Sequence, residues 1–231
     1  YRAVEGLDLK DEGELTQFAG VQINWIRDGV EIFQRNGIER GVLRHFPEAI
    51  GLHGSAGLPA TMDSKTRQTS LDACGLVKEG GDRAFVQKYP PYLSFVALAM
   101  YYAAWTVPEA TFVAVFLARF VLDPNEACFK AGISLMSYLY HTRTERIRYT
   151  KSGWTLPPAI NDAGLNDSVM KNYGMYFSPD SSWKIKHGSG LNMTYGGWAI
   201  FMFGAAVDWN TKLLIKVICH SSAEAEVAAG C

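Results

Sequence analysis

The sequence contains little cysteine and no cluster of metal-ligating residues. Its four cysteines include no Cys-x-x-Cys pair, and its five histidines do not join them at the spacing of a zinc site. The pattern therefore argues against structural zinc and is typical of reduced thiols in an intracellular protein. The cysteines are Cys74, Cys128, Cys219 and Cys231.

Charge of either sign is also scarce. Charged residues make up 19% of the chain and the formal net charge is −1, so no global attraction to nucleic acid is expected. Residues 1–20 begin polar and acidic and lack the apolar core of a signal peptide, so we expect an intracellular location. Hydrophobic residues make up 48% of the 231 residues, which is enough to build a real core.

Several catalytic signatures are missing as well. The chain has neither the Gly-x-Ser-x-Gly turn of serine hydrolases nor the His-Glu-x-x-His pattern of zinc proteases. Gly51, Gly54 and Gly57 do not form a phosphate-binding loop, because no Gly-Lys-Ser/Thr follows them and their spacing fits neither nucleotide fingerprint. The sequence therefore gives no support for serine hydrolase activity, zinc protease activity or nucleotide binding.

Apolar residues are concentrated between positions 89 and 140, where three consecutive helices are predicted. The helices cover residues 91–105, 107–121 and 124–140, because apolar side chains recur there at three- and four-residue steps. Thr106 and Asp123 are the predicted N-caps of the second and third helices, since each is followed by a proline and a glutamate in the first turn.

Residues 89–108 also permit a membrane interpretation. This run of 20 residues contains no Asp, Glu, Lys or Arg, which is about the length of a membrane-spanning helix. Pro90, Pro91 and Pro108 leave only about 16 residues of continuous helix, however. Three tyrosines in the run are typical of a core or an interface. A helical core is therefore favoured over membrane contact.

Residues 141–151 form the most basic short segment. They carry four cations, Arg143, Arg146, Arg148 and Lys151, against one anion. These side chains could contact phosphates, and Tyr149 could stack on a base. A solvated edge after a helix C-terminus, where cations are favourable in any case, explains the segment equally well.

The ends of the chain are predicted to form strands. A first strand leads to a hairpin turn at 27–29 and returns over Val30 to Phe33, and a short helix follows at 36–46. Strands are also predicted at 175–177, 195–203, 207–209 and 213–219, followed by a helix from Ser221 with early acidic residues. The predicted fold class is therefore α+β.

The helical stretch contains a tyrosine- and valine-containing run at 92–102, a Thr-Val-Pro-Glu turn at 106–109, the pattern Phe-Val-Ala-x-x-Leu-x-Arg-Phe at 112–120 and Tyr-Leu-x-x-Thr at 138–142. In the order and spacing of these motifs it resembles the reverse transcriptase of copia-type LTR retrotransposons. In that family, a tyrosine- and valine-containing run and a Thr-Arg-Pro-Asp turn precede a Phe-Ala-Val-x-x-Leu-x-Arg-Phe helix and a helix that ends in Tyr-Leu-x-x-Thr. Val107 and Glu109 depart from the turn, and Cys128-Phe129 replaces a His-Trp pair. The matching residues are Tyr92, Val96, Leu98, Tyr102, Thr106, Pro108, Phe112, Val113, Ala114, Leu117, Arg119, Phe120, Pro124, Glu126, Ala131, Tyr138, Leu139 and Thr142.

Both ends of the chain resemble the same family. The opening is similar to the end of its palm, and the tail is similar to the start of its RNase H domain, including the Ser-Ser-x-Glu-Ala-Glu entry to helix A. The matching opening residues are Asp11, Gly13, Leu15, Phe18, Gly20, Ile23, Gly29 and Gln34. The matching tail residues are 180–183, 196–198, Gly204, Val207, Trp209 and 221–229.

The resemblance implies a fragment of a Pol polyprotein that holds an RNA–DNA hybrid. Asp180 and Glu226 would be two of the RNase H carboxylates that bind Mg²⁺, while the other carboxylates of both active sites are expected outside these residues. Neither metal site is then complete, and we expect no polymerase activity and little or no RNase H activity. The implied regions are 1–46, end of the palm and start of the thumb; 47–88, a divergent linker; 89–151, the helical thumb or connection; 152–173, a connector; and 174–231, a truncated RNase H-like domain.

A second interpretation assigns the chain to another functional class. A retroelement-derived sequence could serve as a non-catalytic structural subunit of a larger assembly, with the aromatic helices at 91–140 as its protein interface. The near-neutral charge, Val107 and the incomplete carboxylate sets are consistent with this role. If that assembly lies at a membrane, residues 89–108 are where contact is expected.

Overall fold

A computed structural model describes residues 13–52, 92–122, 124–151, 175–186 and 192–213. These residues form helices and two antiparallel sheets, in agreement with the predicted α+β class. Three antiparallel strands, which make up the second sheet, do not by themselves identify an RNase H-like fold.

The first sheet combines three strands near the start of the chain with one strand from the basic segment at 141–151. Its strand order is β1-β2-β3-β4, and every neighbouring pair is antiparallel. The predicted hairpin is confirmed, with its turn at Arg27 and Asp28. The fourth strand was not predicted, because the basic segment that forms it contains too few apolar residues to indicate a strand. The strands are β1 (Gln17–Phe18), β2 (Val21–Ile26), β3 (Gly29–Phe33) and β4 (Ile147–Thr150).

The predicted helices are present, with shorter bounds for the middle one. Residues Pro108–Ala110 form a 3₁₀ turn before it, and i→i−3 backbone hydrogen bonds end it at Arg119 to Val121. A further 3₁₀ turn, Pro47–Ala49, follows the first helix. The helices are α1 (Arg35–His45), α2 (Tyr92–Trp105), α3 (Thr111–Ala118) and α4 (Glu126–Thr142).

Both predicted caps are wrong. Asn125, not Asp123, caps α4, because its side-chain oxygen accepts a hydrogen bond from the Cys128 N–H at 2.9 Å. The Thr106 hydroxyl donates instead to Gln34 Oε1 at 2.8 Å, and so it ties the end of α2 to the first sheet. A tertiary partner has therefore replaced a local one.

The core lies where α2, α3 and α4 pack on one another and on α1. Gly132 in α4 lies directly against the Phe95 ring of α2, since a Cβ at this glycine would be 2.3 Å from the ring. Within the described part of the chain, no helix is both long and apolar enough to cross a membrane.

The second sheet has the order β5-β6-β7, with β5 (Met175–Lys186), β6 (Asn192–Met202) and β7 (Ala205–Leu213). It contacts the rest of the molecule through the turn between β6 and β7 and through side chains of both strands. In the turn, the Phe203 carbonyl accepts a hydrogen bond from the Thr150 N–H at 3.0 Å. In β7, Trp209 Nε1 donates to the Ala103 carbonyl at 2.7 Å, and Tyr195 of β6 is buried against α3. The strand and helix predicted beyond Leu213 lie outside the described residues.

Candidate nucleic-acid interface

The pairing of β2, β3 and β4 places side chains of the first sheet in two rows, one on each face. Residues directly opposite each other on antiparallel strands share a face of the sheet. The polar row crosses one face through Asn24, Glu31 and Arg148, and the aromatic row crosses the other face through Trp25, Val30 and Tyr149.

Glu31 is the centre of the polar row. Its side chain is only 3% exposed, and its carboxylate accepts hydrogen bonds from Asn24 Nδ2 at 2.9 Å, Arg146 Nη1 at 2.6 Å and Arg148 Nε at 2.8 Å. The guanidinium of Arg146 also lies over the Phe33 ring, 4.7 Å from its centroid. One buried carboxylate therefore fixes two of the predicted phosphate-binding cations.

These partners keep Glu31 ionised. The hydrogen bond from Asn24 and those from Arg146 and Arg148 together outweigh the effect of burial, and they lower the pKa of Glu31 to about 2. The cluster has a net charge of +1, because two guanidinium groups share one carboxylate. The side chains of Arg146 and Arg148 remain 44% and 64% exposed, so both retain N–H donors that face solvent.

The other two predicted cations lie at opposite ends of the segment. Arg143 lies at the end of α4, where its guanidinium stacks on the Tyr140 ring at 4.1 Å and donates to the Tyr140 carbonyl at 2.6 Å. Lys151 directly follows β4, and its backbone N–H donates to the Asp28 carbonyl at 2.8 Å. The structure therefore brings Arg146 and Arg148 together, while Arg143 and Lys151 lie apart from that pair.

Lys151 borders a cleft of about 340 Å³ on the aromatic side of the sheet, hereafter the cleft. The hairpin turn, the end of β4 and the turn between β6 and β7 form its walls. Two of its lining residues are cations and none is an anion. Its lining residues are Trp25, Ile26, Arg27, Gly29, Val30, Tyr149, Thr150, Lys151 and Phe203.

The aromatic rings at the cleft are held by hydrogen bonds to backbone carbonyls. Trp25 Nε1 donates to the Leu15 carbonyl at 2.9 Å, and the Tyr149 hydroxyl donates to the Ala206 carbonyl at 2.7 Å. Burial raises the pKa of Tyr149 to about 12, so its hydroxyl stays a donor at physiological pH. Trp25 is still 52% exposed and Phe203 is 51% exposed. Both side chains therefore present ring surface to solvent.

Phe203 has an unusual backbone conformation. Its φ of 54° and that of 82° at Gly204 are both positive, as in the type I′ turn of a two-residue hairpin loop. This turn favours Asn-Gly, and a bulky residue in the left-handed region is strained by about 1 kcal/mol. The turn therefore carries a phenylalanine where backbone energetics favour asparagine.

The predicted magnesium ligands are not brought together in the described residues. Asp180 lies in β5, where its backbone pairs with Gly197 of β6, and Glu226 lies outside the described ranges. Nowhere in the part of the chain that the structure describes do three or more His, Cys, Asp or Glu side chains form a metal-binding group. The described residues therefore do not supply a ligand set that fits Mg²⁺.

Sequence reasoning missed the partner of the arginines and most of the cleft. Glu31 carried one usable signal, because it is a charged residue between Val30 and Ile32 in an apolar strand. Arg27 was recognised only as part of a turn. Phe203 could not be identified from the sequence, since what distinguishes it is its left-handed backbone conformation.

No protein-family model, no curated protein and no solved structure matches the chain.

Proposed function

We propose that this chain is a retroelement-derived, non-catalytic segment of the copia-type Pol class that holds an RNA–DNA hybrid along β4. The observation that carries the proposal is the fixed pair of Arg146 and Arg148 on Glu31. A guanidinium that is already held in place loses less conformational entropy when it binds a phosphate. The pair presents a net positive, partly exposed surface in a chain whose overall charge is −1.

The proposal is tested by measuring hybrid binding over a salt series. Arg148→Ala removes an exposed guanidinium and leaves Arg146 on Glu31, so the buried carboxylate keeps a cationic partner. We expect the slope of log K against log salt to fall by about 1, as for the loss of one phosphate contact. Thermal unfolding of the variant shows whether the fold is retained.

Arg35→Ala is the matched control, because Arg35 is an exposed arginine on α1 and its removal changes the net charge equally. Its salt slope should equal that of the wild type. Equal losses in the two variants would show that only total charge matters. No hybrid binding at low salt would reject the proposal.

One observation favours the second candidate function, a structural subunit. The uncharged helix α2 leaves Leu93 60% exposed and Met100 42% exposed, and their separation of seven positions places both on one side of the helix. Such a face is typical of a protein contact surface. If this function is correct, Leu93→Gln with Met100→Gln should abolish association with a specific protein partner and leave hybrid binding unchanged. Unchanged association would reject α2 as the contact surface.

A further inference from the structure

We propose that the cleft binds one unpaired nucleotide next to the hybrid, with its base stacked on Trp25 or Phe203 and its phosphate beside Arg27 and Lys151. The inference rests on the proposed function, since it names a second part of the same nucleic-acid ligand. No catalytic step is involved.

The lining of the cleft fits the two chemical parts of a nucleotide. Every base has a π-face that stacks on exposed aromatic side chains regardless of sequence, and Trp25 and Phe203 each expose half of their surface. Arg27 and Lys151 are exposed, and neither forms an ion pair with any residue in the described ranges. Their charges are therefore not shared with a carboxylate in the described residues, whereas Arg146 and Arg148 share Glu31 and together present a net charge of +1.

The size of the cleft limits what can enter it. Its volume of about 340 Å³ is near the lower end of the range of roughly 300–1,000 Å³ that is typical of ligand sites. A single nucleoside is a suitable occupant. A base pair at a duplex end is too large for a site of this size, so an unpaired nucleotide fits the cleft better.

The cleft is adjacent to the surface that would hold the hybrid. Arg148 lies on the polar face and the cleft on the aromatic face, but Lys151 follows Arg148 by only three residues, which is about 10 Å along an extended chain. A nucleic-acid strand that contacts Arg148 would therefore reach the cleft by passing around the end of β4. The two sites would then be used by one molecule.

The strained Phe203 supports a role in binding. Asparagine is the favoured residue at the first position of such a turn, so phenylalanine lowers the stability of the turn. An unfavourable residue that presents an exposed ring to a cleft is expected where the ring contacts a ligand. This observation is independent of the charges of Arg27 and Lys151.

The experiment compares a blunt hybrid with the same hybrid extended by an unpaired thymidine or uridine tail on either strand. Binding is measured by fluorescence anisotropy at one low salt concentration. In the wild type, a tail on one of the strands should tighten binding roughly tenfold, which corresponds to the stacking of one base on an aromatic side chain. Trp25→Ala should lose most of this advantage and keep its affinity for the blunt hybrid.

Phe203→Asn is a second variant, in which a smaller advantage of the tail would not be explained by unfolding. Because asparagine suits the left-handed position, the melting temperature should rise, while the advantage of the tail should fall several-fold. The matched control is Ala19→Asn, since Ala19 precedes Gly20 in the other turn with two positive φ values. It should raise the melting temperature and leave the advantage of the tail intact.

The outcomes separate this inference from the proposed function. Blunt-hybrid binding that depends on Arg148, without any advantage of a tail in the wild type, would overturn the inference and leave the proposed function standing. An advantage that survives in both Trp25→Ala and Phe203→Asn would place the tail elsewhere and also overturn it. If neither hybrid binds, both proposals fail.

Discussion

The two faces of the first sheet differ in how their charged side chains are paired. On the face of the polar row, Glu31 is buried and each of its two arginines is already bound to it. On the face of the aromatic row, Trp25 remains half exposed and borders a cleft whose two cations have no ion pair in the described chain. The cations of one face are therefore partly neutralised and hold β4 in position, whereas those of the other face keep their full charge.

This difference shows why basic residues near one another in sequence need not share a role. Arg146, Arg148 and Lys151 lie within six positions, yet two of them contact a buried carboxylate and one lies at the cleft. Substitutions in the polar row should therefore affect both stability and hybrid binding, whereas substitutions at the cleft should affect binding of the unpaired tail with little loss of stability.

The largest expected effect comes from Gly29→Ala, which disturbs both faces at once. A Cβ at Gly29 would lie 1.8 Å from the Tyr149 carbonyl oxygen, so β4 would have to move away from β3. We expect a loss of about 3 kcal/mol in the free energy of unfolding, measured by urea denaturation. Gly51→Ala is the control, because its nearest neighbouring atom is 4.0 Å away. Equal stability of the two variants would contradict the close approach.

Glu31→Gln should be the next most damaging change, and it acts on the polar row alone. The uncharged amide cannot match the hydrogen bonds that the carboxylate accepts from two guanidinium groups. Because those arginines are 44% and 64% exposed, water compensates part of the loss, and we expect about 2 kcal/mol at neutral pH. Glu48→Gln, at an exposed position, should change the stability little. A neutral effect of Glu31→Gln would show that the ion cluster is dispensable.

The same variant should remove part of the acid sensitivity. The pKa of Glu31 is lowered in the folded protein from 4.5 to about 2, so its ionised form adds stability that is fully present above about pH 4.5 and is lost as the pH falls toward 2. The stability gap between wild type and Glu31→Gln should therefore narrow over this interval. Urea denaturation at successive pH values measures it, and a gap that stays constant would contradict the lowered pKa.

The smallest effect is expected for Tyr149→Phe, which acts on the aromatic row. The substitution removes the hydroxyl that donates to the Ala206 carbonyl and leaves the ring at the cleft. We expect a loss of about 1 kcal/mol in the free energy of unfolding, the value of one ordinary hydrogen bond. The advantage of the unpaired tail should stay within a factor of about two of the wild type, since stacking does not need the hydroxyl.

The helices could be predicted from the sequence, because their signal is local. Apolar spacing identified three helices between positions 89 and 140, and the hairpin at Arg27 and Asp28 followed from alternation and a turn. The caps could not be placed, since Thr106 bonds to Gln34, 72 positions away. Local propensity does not indicate a partner at that separation.

The candidate site could be predicted only in part, for the same physical reason. The basic segment identified Arg146 and Arg148, but their carboxylate partner is 115 and 117 positions earlier. The cleft depends on the meeting of two turns from distant parts of the chain, and on the left-handed backbone at Phe203. No periodic pattern encodes either feature.

The pairing of β3 with β4 also has a consequence for the order of folding. The hairpin of β2 and β3 is local and can form within microseconds, whereas β4 must close a loop of more than a hundred residues before Arg148 reaches Glu31. Loop closure of this kind becomes less costly after α1 and α4 have packed, since α1 directly follows β3 and α4 precedes β4. We expect the helices and the hairpin to form early and β4 to dock last, so that Glu31 remains hydrated until its arginines arrive.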